Sequence, residues 1–138
     1  MNVDQIQAMK KVGEKSVALV VWDAPTAHIA HQCGADFLIV GDSVGVNLWG
    51  QSNNLEITLD DFLVAVKAVR RGAPGALICA DIPYGPVQID PRDGVCAAIR
   101  LVQEGGADLV KIDAAPDFPD VVSTVTKAGI PVFAQMGL

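Results

Sequence analysis

Polar residues able to do chemistry recur in this sequence at one kind of place, the end of a short apolar run. Asp23 follows Ser16–Trp22, Gly41-Asp42-Ser43 follows Asp36–Val40, and Asp81 follows Ala76–Ala80. Lys111 and Asp113 end the run Asp108–Ile112, and Gln135 follows Pro131–Ala134. Brought to one rim, Asp42, Asp81 and Asp113 form a hard, oxygen-rich site of the kind that suits Mg2+ and leaves places for water and a substrate oxygen. A cation held there would chelate a 2-oxo acid through its carboxylate and keto oxygens and stabilise the enolate left when an α-proton departs. Lys111 would pair with the substrate carboxylate; its alternative is a buried ion pair with Asp113 or Asp81. An acid ahead of a helix is often only its N-cap. That is the reading for Asp23, two residues before Pro25, whereas Asp42 and Asp81 lead into long loops bearing Gly and Pro. His28 and His31 fall within a helix and read as surface or packing residues. Cys33, Cys79 and Cys96 have no CxxC spacing and read as small buried hydrophobes in a reduced state.

The elements that must carry these residues alternate. Between the apolar runs lie amphipathic stretches at Pro25–Cys33, Leu59–Arg71, Pro91–Glu104 and Phe118–Ala128, with a further helix at Asp4–Val12. Pro25 and Pro91 suit a first helical turn. Thr58-Leu-Asp-Asp61 reads as an N-cap with acids behind it, and Gly34, Gly72, Gly105 and Gly129 stand where helices end. The strands are almost continuously apolar, the mark of a parallel sheet covered on both faces. Two architectures fit such βα units: a doubly wound five-stranded sheet of the flavodoxin type, or the first five strands of a (β/α)8 barrel. A chain of 138 residues favours the open sheet, since a barrel takes about 250.

Composition narrows the function. Apolar residues make up 51% and charged residues 19%, with a mean hydropathy of +0.36, which excludes disorder. Sixteen acids against ten bases leave a net charge of −6, so nucleic acid is not an expected partner. No apolar run approaches the roughly 20 residues of a membrane span, and the opening MNVDQIQAMKK is amphipathic rather than a signal peptide. A folded, soluble, cytoplasmic protein is expected. No GxxxxGK[ST], GxSxG or HExxH motif occurs.

Eight segments in order carry a family resemblance: Asp23-Ala-Pro-Thr-Ala27, Val40-Gly-Asp-Ser-Val-Gly45, Thr58-Leu-Asp60, Val69-Arg-Arg-Gly72, Ala80-Asp-Ile-Pro83, Gly106-Ala-Asp-Leu-Val-Lys111, Gly129-Ile-Pro-Val132 and Gly137-Leu138. Together, from about Lys15 onward, they resemble the ketopantoate hydroxymethyltransferase (3-methyl-2-oxobutanoate hydroxymethyltransferase) family. The resemblance implies a (β/α)8 TIM barrel of the phosphoenolpyruvate mutase/isocitrate lyase type, of which residues 1–138 would be the N-terminal part, about five strands. It therefore displaces the expectation drawn from length. It also implies transfer of a hydroxymethyl group from 5,10-methylenetetrahydrofolate to 3-methyl-2-oxobutanoate, on the route to pantothenate. By matched position, Asp42 and Asp81 would hold Mg2+, with Asp113 at the place of a metal-associated glutamate. Ser43 and Lys111 would bind the keto-acid beside them.

The chain departs from the family pattern at Val110-Lys-Ile-Asp-Ala-Ala115, where Val-Lys-Leu-Glu-Gly-Gly is usual, and at Gln135, where a histidine is usual. The general base is expected beyond residue 138, so no catalytic base is assigned within the chain. A homo-oligomer is expected, because an unclosed barrel exposes apolar surface and open sheet edges. The alternatives are a paralogue acting on another 2-oxo acid, a non-catalytic half-barrel, or a flavodoxin-like binding domain.

Overall fold

The computed structural model describes residues 1–137; Leu138, the last residue of the Gly137-Leu138 match, lies outside the described residues. Five strands run β1 (Ala18–Val20), β2 (Phe37–Val40), β3 (Ile78–Asp81), β4 (Leu109–Ile112) and β5 (Val132–Ala134). Helix α1 (Val3–Val12) precedes β1, and α2 (Ala24–Gln32) joins β1 to β2. Helices α3 (Val44–Asn47) and α4 (Leu59–Gly72) join β2 to β3, α5 (Pro86–Ile89) and α6 (Pro91–Gln103) join β3 to β4, and α7 (Pro119–Lys127) leads into β5. The short α3 and α5 were not expected. Both lie in the loops that follow Asp42 and Asp81 and give those loops a fixed shape. None of the described helices is long and apolar enough to cross a membrane.

Helix ends follow the local chemistry. Asn2 and Gln5 form a reciprocal capping box on α1. The Thr58 hydroxyl accepts the Asp61 N–H at 3.2 Å, and the Asp90 carboxylate accepts that of Asp93 at 2.9 Å. Gly72 belongs to α4 rather than ending it in a left-handed turn. A Cβ there would stand 2.6 Å from Ala24 Cα, so the glycine is needed for α2 and α4 to touch. After α6 the left-handed residue is Gly106 (φ 78°), one place beyond the expected Gly105.

All five strands are parallel and lie in sequential order, β1-β2-β3-β4-β5. A flavodoxin-type sheet would insert β1 between β2 and β3, so the doubly wound expectation from length is overturned. Sidedness agrees. Helices α2, α4, α6 and α7 pack each on the next along one face of the sheet. They cover Leu38, Val40, Ile78, Ala80, Val110 and Ile112. The opposite face gathers Phe37, Leu77, Cys79 and Leu109, closed at its lower end by Val3 and Ile6 of α1. One face helical and one face turned inward is the layering of a (β/α) barrel, here five adjacent strands of it. Edge strands β1 and β5 each have one neighbour, and Val20 and Phe133 remain 51% and 40% exposed.

Arg70 ties the lower end together. Its Nε donates to Gly106 O (2.8 Å), its Nη1 to Ala76 O (2.9 Å) and Pro74 O (3.0 Å), and its Nη2 to Asp108 Oδ2 (2.6 Å). The same Asp108 oxygen accepts the Ile78 N–H at 2.8 Å. One guanidinium thus sets where β3 and β4 begin, and through them where their acidic ends arrive. A lysine cannot reproduce this fork. Arg70→Lys should therefore lower stability by about 2 kcal/mol in urea unfolding, while Arg71→Lys, next to it and exposed, should change it by less than about 0.5 kcal/mol. Equal effects of the two would contradict the role given to Arg70.

Candidate active site

Strand pairing decides which side chains meet. Asp81 and Lys111 are Cα partners across β3 and β4, so their side chains leave the same face. By alternation that face is the inner one, two residues on from Cys79 and Leu109. Lys111 Nζ lies 3.1 Å from Asp81 Oδ2 and 3.5 Å from Asp113 Oδ1. Asp81 Oδ2 also accepts the Asp42 backbone N–H at 3.2 Å, so one carboxylate oxygen fastens the β2 loop to β3 and β4. Asp42, Asp81, Lys111 and Asp113 therefore meet at the C-terminal ends of three adjacent strands, where barrel folds place their chemistry. Ser43 begins α3 without capping it, and its hydroxyl lies beside Gly41. Asp42 and Asp113 line a cleft of about 260 Å3, whose walls include Asn54, Leu55, Tyr84 and Gln88.

The electrostatics are those of a crowded anionic site. Asp81 is 3% exposed. Burial pushes its carboxyl up to about 7 against the attraction of Lys111, and the neighbouring carboxylates add to the rise. Burial also raises Asp42, with Asp113 adding to it, while Lys111 and the Ser43 backbone N–H oppose the rise. For Lys111 burial acts against the ammonium, but Asp81 and Asp113 outweigh it and hold the pKa above the ordinary lysine value. Lys111 thus keeps its proton. Because Asp81 titrates higher folded than unfolded, it retains a proton in the native state that the unfolded chain has lost. Its contribution to stability is therefore full in acid and falls as pH rises from about 4 to about 7.

A divalent cation would relieve this crowding. Among the described residues no three Asp, Glu, His or Cys side chains surround a single point. Ions such as Mg2+ are commonly held by one or two carboxylates with water and substrate oxygens completing the shell. Asp81 Oδ1 is buried without a hydrogen-bond partner, and Asp42 stands beside it on the cleft. Unpaired hard oxygens next to a small cleft fit such an ion.

The other singled-out residues lie elsewhere. Asp23 Oδ1 accepts the Thr26 N–H at 2.8 Å and caps α2, as expected. His28 and His31 are exposed on α2. Cys79 is buried, but Cys33 and Cys96 are exposed, contrary to the expectation for them. Cys33 ends α2, and Cys96 lies on the side of α6 opposite its buried Gly94, Ala97, Ala98 and Leu101. Gln135 Nε2 donates to Gly137 O at 2.8 Å, and the ion pairs of Lys111 do not include it. No motif or spacing in the sequence marks Asn54, Tyr84 and Gln88 on the cleft, nor Trp22 and Gln51. Trp22 Nε1 and Gln51 Oε1 are buried without hydrogen-bond partners. Trp22 counts as the apolar end of a strand, and Gln51 lies in a polar loop folded over Gly45. Neither carries a spacing signal.

Known proteins resemble this chain in fold and in sequence to differing depth. Among solved structures, phosphonopyruvate hydrolase in complex with oxalate and Mg++ superposes with a TM-score of 0.74 at 13% identity, over 97% of this chain and 52% of that one. A 2,3-dimethylmalate lyase of the PEP mutase/isocitrate lyase superfamily gives 0.66 at 20% identity, over 95% of this chain and 50% of that one. These likenesses establish the fold alone. Sequence goes further. The 3-methyl-2-oxobutanoate hydroxymethyltransferase of Geobacter sulfurreducens is 43% identical over 133 residues, 96% of this chain and 50% of the relative. That of Geobacillus kaustophilus is 39% identical over 130 residues, 94% of this chain and 47% of the relative. The chain spans about half the length of the curated relatives it matches. The family model of ketopantoate hydroxymethyltransferase matches residues 1–138. With the barrel strands, the acidic strand ends and this match in agreement, the chain belongs to the ketopantoate hydroxymethyltransferase family.

Proposed function

We propose that this chain supplies the metal and keto-acid half of a hydroxymethyl transfer from 5,10-methylenetetrahydrofolate to 3-methyl-2-oxobutanoate, in cytoplasmic pantothenate biosynthesis. The observation that carries the reading is the buried Asp81, paired to Lys111 through one oxygen and left unpartnered at the other beside Asp42. Relatives at about 40% identity bear the name of that activity. The fold relative solved with oxalate and Mg++ supports an oxygen-rich ligand and a divalent cation at such a site.

In this reading Asp42 and Asp81 would hold Mg2+, with Asp113 on the same cleft adding negative charge. The cation would supply Lewis-acid polarisation of the substrate's keto group, which makes the adjacent C–H more acidic. Lys111, protonated at every working pH, meets the substrate carboxylate, and Ser43, Asp42 and Asp81 line its seat. The reaction removes the proton from C3 of the keto-acid and forms a bond from that carbon to the folate's one-carbon unit. Water supplies the new hydroxyl, and ketopantoate and tetrahydrofolate leave. A base must take the C3 proton. Lys111 is charged and Asp42 and Asp81 are committed to the ion, so the base is assigned to a segment beyond residue 138. Two open edges and the exposed inner-face Val20 and Phe133 support a homo-oligomer. Sedimentation at several concentrations should show species heavier than 14.4 kDa, and a monodisperse monomer with cooperative unfolding would count against association.

Titration calorimetry with Mg2+ tests the site. Asp42→Ala and Asp81→Ala should each weaken binding tenfold or more, while Asp23→Ala, which removes only a helix cap, should not. A ligand must be deprotonated to bind, and Asp81 releases its proton near pH 7. Affinity of the parent chain should therefore rise from pH 6 to pH 8. Equal losses in all three variants, or none in any, would sink the assignment.

A further inference from the structure

The rim holds one buried donor that this chemistry leaves unused. Trp22 stands two residues past the end of β1, and its Nε1 is buried without a hydrogen-bond partner. An indole N–H can only donate, so no rotation of the group relieves it, and leaving it unpaired away from water is costly. What it faces is set by Gly41. A Cβ on that residue would stand 3.0 Å from Ser43 Oγ, 3.4 Å from Val20 Cγ1 and 3.6 Å from Trp22 Nε1. The missing side chain therefore leaves a notch walled by a hydroxyl, an indole N–H and one methyl group. Gly41 is in phase with Phe37 and Ile39, so the notch opens on the inner face of the sheet. Its next residue is Asp42, whose N–H is held by Asp81. The notch thus lies one residue along the chain from the acidic group.

We propose that Trp22 is a further substrate-binding residue. Its Nε1 donates to a carboxylate oxygen of the 2-oxo acid seated in the Gly41 notch, with Ser43 Oγ donating from the other side. The assignment rests on the keto-acid reading above and deepens it. A carboxylate oxygen only accepts, so it can take both donors at once, and a bond to an ionised acceptor is stronger than one to water. A side chain at Gly41 would crowd the approach of that oxygen. This gives the glycine of Gly41-Asp42-Ser43 a role in recognition distinct from that of its acidic neighbour.

The sequence contains two tryptophans. Trp49 is 41% exposed and outside the site, so in a Trp49→Phe chain Trp22 is the only indole. With saturating Mg2+, 3-methyl-2-oxobutanoate should change Trp22 emission saturably, with the midpoint found by calorimetry. Trp22→Phe keeps the ring and loses the donor. It should weaken keto-acid binding tenfold or more while leaving Mg2+ affinity at the parent's level. Gly41→Ala, which fills the notch, should weaken it similarly and serves if Trp22→Phe folds poorly. Keto-acid binding by either variant at the parent's affinity, or a Trp22 emission indifferent to the ligand, overturns the assignment and spares the keto-acid reading. A parent chain that binds Mg2+ but no 2-oxo acid overturns both.

Discussion

The site depends on a buried carboxylate that has one cation and two calls on its oxygens. Asp81 Oδ2 faces Lys111 Nζ from the neighbouring strand and also accepts the Asp42 N–H, while Oδ1 has no partner. An isolated buried ion pair seldom adds stability over apolar residues of the same volume. Here burial is severe enough to push Asp81 up to about 7 even beside a lysine. That burial, with one oxygen unpartnered next to Asp42 at the cleft, is what the proposed ligand site rests on.

The fold delivers that group by register. Sequential parallel strands put Asp81 opposite Lys111 with no intervening element, and α2, α4, α6 and α7 all pack on the face away from them. Arg70 acts at the far end of the same strands. By hydrogen-bonding the backbone around Ala76 and Gly106 and pairing with Asp108, it fixes the starts of β3 and β4, some four residues below the acids. A slip of one residue in either strand would turn Asp81 or Lys111 into the helical layer. The Arg70 network at the lower end and the acidic cluster at the upper end are therefore linked through two short strands.

Much of this was legible in the residues. Apolar runs ending in Asp42, Asp81 and Lys111 predict both a parallel sheet and its charged rim, because strand alternation and burial impose the same pattern on any such sequence. The Asp23 cap was readable from Pro25. Closure was not. Five βα units are compatible with an open or a curling sheet, and chain length pointed to the wrong one until the eight matched segments were weighed against it. Side-chain partnerships were also hidden. Trp22 is one apolar letter just past a strand end, and neither its unpaired N–H nor its place near Gly41 is visible before the chain is folded. The exposure of Cys33 and Cys96 depends on helix phase and helix ends, which local apolar composition does not record.

Crystals of the chain soaked with Mn2+ and 3-methyl-2-oxobutanoate would test the central claim most directly, by anomalous diffraction at the manganese edge. The account predicts one strong peak in contact with Asp81 Oδ1 and a carboxylate oxygen of Asp42, with Lys111 turned to the ligand's carboxylate. A peak away from both acids, or none with the keto-acid bound, would contradict it.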